Sequence, residues 1–115
     1  MRVVFFIMVT ISLFAGDINN SKVNKEDMID YLALSALLYK DGNYARAKVT
    51  IQDVNLSSVD KSYYFTLNGL IDLKLFDYKS SVKNFNRAIE EGAKDRTLYI
   101  YLAKAYYKLG ILIVV

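Results

Sequence analysis

From Asp27 onward the apolar positions of the chain return every three or four residues. Tyr31, Leu34 and Leu38 make one i, i+3, i+7 stripe with Ser35 beside it, the spacing that gathers side chains on one face of a helix. The pattern predicts a helix over about 25–40, capped by Asn24. "KDGN" then interrupts it. Gly42 supplies a left-handed backbone that ends a helix at low cost, and Asn43 stands where it can cap the next one. A second helix carries Tyr44, Ala47, Ile51 and Val54 on one face until "NLSSVD" breaks the pattern. A third is expected over about 61–75, with Phe65, Gly69 and Ile71 inward, and a fourth over about 78–90, with Ser81, Phe85 and Ala88 inward and Gly92 at its end. A fifth begins near Thr97, carries Tyr99, Leu102, Ala103 and Tyr106, and is expected to stop at Gly110, leaving an apolar tail at 111–115. The expected fold class is all-α.

The interruptions are themselves periodic. "YKDGNYARA" from Tyr39, "LKLFDYKSS" from Leu73 and "YKLG" from Tyr107 start at equal intervals. Lys40, Lys74 and Lys108 recur in register, as do Tyr44 and Tyr78, and the small residues Ala47 and Ser81. A fixed period of this length is the mark of one helical unit used more than once. The interval 27–110 is read as that repeat domain.

Residues 1–16 follow a different rule. Arg2 precedes an apolar run from Val3 to Ala15, and polar sequence follows at once. That is the arrangement of a secretory signal, and the run is short for a bilayer span, which takes ~20 apolar residues. Residues 1–16 are therefore expected to be a cleaved signal peptide or a retained N-terminal anchor, with 17–26 a polar linker, and the protein to be exported, in the periplasm or on the envelope. Without cysteine, attachment as a lipoprotein is excluded.

Composition narrows the chemistry. The 115-residue chain has no His, Cys or Pro, which removes disulfides, thiol nucleophiles, cysteine metal sites and the commonest general base. The carboxylates are scattered and no glycine-rich phosphate loop is present, so neither catalysis, a cofactor nor a metal is expected. The net charge of +3 is spread among interleaved acids and bases, a solvated surface and not a nucleic-acid footprint. Asn68 and Asp72 form an i, i+4 polar pair on one helix face. They are read as a tolerated pair at a helix interface, bonded to each other or shifting the helix slightly.

With these residues in place the chain resembles the tetratricopeptide repeat, whose signature is W-x2-L-G-x2-Y, A-x3-F and P over a period of about 34 residues. Three units align at 28–61, 62–95 and 96–115. Tyr31, Leu34, Ser35 and Leu38, then Tyr44, Ala47, Ile51 and Val54, fill the first. Phe65, Gly69, Tyr78, Ser81, Phe85 and Ala88 fill the second, and Tyr99, Leu102, Ala103, Tyr106 and Gly110 the third. The closing Pro is missing, and the third unit has no second helix. The resemblance implies tandem antiparallel helix pairs in a right-handed solenoid, two full repeats plus the first helix of a third. It further implies a non-catalytic scaffold or adaptor whose concave groove takes an apolar or amphipathic segment of a protein partner. Carried over by register, the groove residues are Leu32, Ala36, Tyr39, Lys40, Tyr63, Leu67, Leu70, Lys74, Tyr101, Lys104 and Lys108. The bare C-terminal end adds an expectation of self-association, membrane contact through the N-terminus is a further one, and a chain cut from a longer repeat protein that acts only by oligomerising is the alternative reading.

Overall fold

The computed structural model describes residues 29–114, with side chains described to residue 110. Within this span the fold is all-α: α1 Tyr31–Lys40, α2 Tyr44–Ile51, α3 Lys61–Lys74, α4 Tyr78–Glu90 and α5 Arg96–Val114, with a 3-10 turn Leu56–Ser58 between α2 and α3. The expected signal or anchor at 1–16, the linker at 17–26 and the Asn24 cap lie outside the described residues. α1 itself starts at Tyr31, later than expected, because Asp30 takes the capping role and accepts the Ala33 N–H at 3.0 Å.

One turn is used three times. After α1, the N–H groups of Asp41, Gly42 and Asn43 donate to the carbonyls of Leu37, Tyr39 and Leu38. After α3, Leu75, Phe76 and Asp77 donate to Ile71, Leu73 and Asp72, each bond one full period on. After α4, Glu91, Gly92 and Ala93 donate to Arg87, Ile89 and Ala88. The pattern satisfies the last carbonyls of a helix and requires a left-handed residue at its centre. Gly42 and Gly92 supply it at φ 84° and 100°, whereas after α3 the residue is Phe76 at φ 64°. Asp77 then caps α4 through Ser80 N–H, while Asn43 stands at the start of α2 without a capping bond from its side chain.

These turns fold each helix back on its predecessor, and small residues set how closely. Ser35 Oγ donates to the Ala47 carbonyl at 2.8 Å, joining α1 to α2. Ser81 Oγ donates to the Gly69 carbonyl at 2.9 Å, joining α4 to α3. The two pairs occupy the same register one period apart, with the serine on opposite helices. Gly69 is forced by its neighbour: a β-carbon there would lie 2.6 Å from Cδ1 of the fully buried Phe85 ring. One core cluster joins Leu32, Ala47, Ile51, Leu67 and Ile71, and another joins Leu73, Phe85, Ala88, Leu98, Leu102 and Ala105. α3 contributes to both. Each fully buried large side chain stabilises the fold by roughly 1.5–3 kcal/mol.

α5 departs from expectation twice. It runs on through Gly110 to Val114, so 111–114 continue the helix and are not a separate tail. Gly110 has no positive φ and nothing packed against its α-carbon, so no left-handed turn forms there. The face turned to α4 carries Leu98, Leu102 and Ala105, while Tyr99, Ala103 and Tyr106 are exposed. Of the expected inward set only Leu102 is buried, because among the described residues no following helix covers the others.

Candidate functional site

Five elements converge on a cavity of about 430 Å³. Tyr39 comes from the last turn of α1 and Tyr44 from the first turn of α2. Leu73 and Lys74 close α3, Phe76 sits in the turn after it, and Tyr78 opens α4. Tyr101, Lys104 and Lys108 come from α5. The repeated turn explains the gathering: it places the end of one helix and the start of the next at the same edge of the bundle.

The walls are aromatic. Tyr39 and Tyr44 stand with ring centroids 5.5 Å apart, and Phe76 meets Tyr78 edge-on at 6.4 Å. Tyr101 stacks on buried Phe85 at 6.4 Å, which fixes its ring. Burial, with Tyr101 and Tyr44 adding to it, holds the Tyr39 hydroxyl above the ordinary tyrosine range, so it stays a neutral hydrogen-bonding group. The charge is of one sign. Lys74 lies 5.8 Å from the Tyr44 ring centroid, Lys104 and Lys108 join it on the lining, and among the described residues no carboxylate does.

Of the residues expected in the groove, Tyr39, Lys74, Tyr101, Lys104 and Lys108 meet in this cavity. Leu32 and Leu67 lie off this cavity: both are buried in the core cluster shared by α1, α2 and α3, and Leu32 reaches the edge of a separate depression at the start of α1. Ala36 and Leu70 are partly buried and pack against the core. Tyr63 and Lys40 are exposed and lie off the cavity lining. Sequence reasoning missed Tyr44 and Tyr78, which read as inward residues of their helices, and Phe76. The signal for Phe76 was present: it stands one period after Gly42 and one period before Gly110, an aromatic where the turn asks for glycine.

The polar pair of α3 has a structural role. Asp72 is 1% exposed. Its Oδ2 accepts from Asn84 Nδ2 at 2.7 Å, and Lys48 Nζ pairs with its Oδ1 at 2.8 Å. Lys48 Nζ also donates to Asn68 Oδ1 at 2.7 Å. The bond between Asn68 and Asp72 that their spacing suggested is therefore not made; both are drawn to other helices and tie α3 to α2 and α4. A second depression, of about 560 Å³, lies between the start of α1 and the 3-10 turn, at the edge of the described chain, and carries Asp30 and Asp53 on its lining. Among the described residues no group of three metal-ligating side chains occurs, and no helix is long and apolar enough to cross a membrane.

Compared with known proteins, the chain matches no family model, no curated protein and no solved structure.

Proposed function

We propose that this chain is a helical-repeat protein of the tetratricopeptide type, two repeats plus the first helix of a third, working without catalysis as an interaction scaffold or adaptor of the bacterial envelope. The cavity at the helix ends receives an apolar or amphipathic segment of a protein partner. The observation that carries the repeat reading is the turn: the same backbone hydrogen bonds recur in register, one period apart, after α1 and α3. The cavity supports the binding reading, because α1, α3 and α5, the helices that line the groove in that family, all contribute to it, with Tyr44 of α2 and Tyr78 of α4 completing the lining. Export rests on residues 1–16 of the sequence alone.

The test is selection of peptides from a displayed random library on the immobilised full chain. Enriched peptides are expected to lose retention on Tyr39→Ala and Tyr101→Ala variants that remain helical. Peptides that bind these variants as well as the parent, or a selection that enriches nothing, would overturn the reading.

A second reading, association between copies through the C-terminal helix, is favoured by one observation: Tyr99, Ile100, Tyr106 and Tyr107 of α5 are all half-exposed or more. Sedimentation of the full chain over a concentration series tests it, and a monomer throughout would exclude it.

A further inference from the structure

We propose that the cavity selects acidic amphipathic segments: an apolar side chain enters between Tyr39, Tyr78 and Tyr101, and flanking carboxylates pair with Lys74, Lys104 and Lys108. This rests on the interaction reading above and names the chemistry of its partner.

The first argument is charge. Lys104 and Lys108 are i, i+4 neighbours, so α5 presents both ammonium groups on one face. Lys74 reaches the same cavity from the end of α3. Among the described residues the ion pairs are Lys48 with Asp72 and Arg87 with Glu90, so none of these three cations is neutralised by one. Like charges gathered on one lining repel, and the compensation within the fold is the contact of Lys74 with the Tyr44 ring. A bound carboxylate turns that repulsion into attraction, which also steers the encounter.

The second argument is Phe76. A bulky residue at positive φ is a backbone outlier, and Phe76 is 75% exposed at φ 64°. Gly42 does the same job one period earlier without strain. The ring therefore adds little to the core, yet it stands on the lining of the cavity. Strain held at a site edge points to contact with a ligand. Tyrosine walls suit the same purpose, since they give large amphipathic contact with few torsions to freeze.

The third argument is shape. The charge surrounds a concavity with aromatic walls and not a flat or extended basic track, which fits an inserted side chain and not a bilayer surface or a nucleic-acid backbone.

The experiment uses the full chain and a fluorescein-labelled peptide of about 12 residues with Leu at helical spacing and Glu between. Controls are the same peptide with Gln for Glu, and phosphatidylglycerol vesicles as competitor. The Glu peptide is expected to bind, and the Gln peptide to bind about tenfold more weakly. Affinity should fall several-fold as salt rises from about 50 to about 300 mM. The pair Lys104→Gln and Lys108→Gln should weaken binding about tenfold at an unchanged or higher melting temperature. Phe76→Gly should weaken it while raising the melting temperature, a combination that a purely structural role does not give. Equal binding of the Glu and Gln peptides would overturn the charge selection and leave peptide binding standing. If neither peptide binds, both readings fall. Vesicles that displace the peptide and bind tightly by themselves would assign the site to lipid and overturn the proposal.

Discussion

Asp72 and Lys48 form an ion pair that the fold has taken out of water on one side only: the carboxylate is buried, while the Lys48 side chain keeps about a quarter of its exposure (25%). Removing one partner of a buried pair costs ~3–5 kcal/mol because the other is left uncompensated. Asp72→Leu should lie near the low end, about 3 kcal/mol, since Lys48 can turn back to solvent. Leu38 occupies the same register in the first hairpin, so leucine is a residue this position accepts. Adding Lys48→Met to Asp72→Leu should recover more than half of the loss but not all, because Asn68 and Asn84 lose their partners; denaturant midpoints of the two variants check this. The Asn68 and Asp72 pair was visible in the sequence as two polar residues four apart on one helix face. Its partners were not, since Lys48 and Asn84 reach it from other helices and no local spacing joins them.

At the scale of the helix, Gly69 and Phe76 stand at opposite ends of one argument about space. Gly69→Leu drives a side chain into the Phe85 ring and should cost ~1–3 kcal/mol or more. Phe76→Gly relieves a left-handed backbone and should stabilise by about 1 kcal/mol. Calorimetric midpoints that moved the other way would mean the turn or the α3–α4 packing is misplaced. α5 gives a sharper contrast. Leu102→Ala should cost ~2–5 kcal/mol, whereas Tyr106→Ala should cost under about 1 kcal/mol, because it gives up a half-exposed ring and one hydrogen bond from Asn86. Helix number, the fourth helix and the glycine-ended turns were legible because capping residues and period 3.6 are local. The rotation of α5 was not. Its stripe has apolar residues on two faces, and only the neighbours present decide which is buried. Nor did Gly110 end that helix, since the turn needs more than a glycine in the right register.

For the molecule as a whole, the half-buried tyrosines link stability to pH. Burial raises Tyr39, with Tyr101 and Tyr44 adding. Burial also raises Tyr64, opposed by the neighbouring Asn68 side chain and assisted by the Asp72 charge. Above the ordinary value of 10.0 the unfolded chain gives up these protons before the folded one does, so stability is full below it and falls as pH rises through the raised values. Melting temperature should therefore drop on the alkaline side of about pH 10, and less steeply in the Tyr39→Phe, Tyr64→Phe variant. At the acid end the contribution of Asp60, lowered first by its bond from the Ser62 hydroxyl, is present above 3.8 and lost as pH falls through the folded value. The cavity belongs to this scale too: five of its nine lining residues were readable by register, but the set came together only when five elements met. A consequence for inheritance follows from the two serine contacts. Exchange α1 for α3 alone, and the hairpin with α2 brings Gly69 against Ala47, leaving no hydroxyl to bridge the pair; the reciprocal product crowds Ser35 against Ser81. A crossover inside a hairpin disturbs a serine contact, and one between the two hairpins parts Lys48 from Asp72 and Asn68, so neither cut is free of cost.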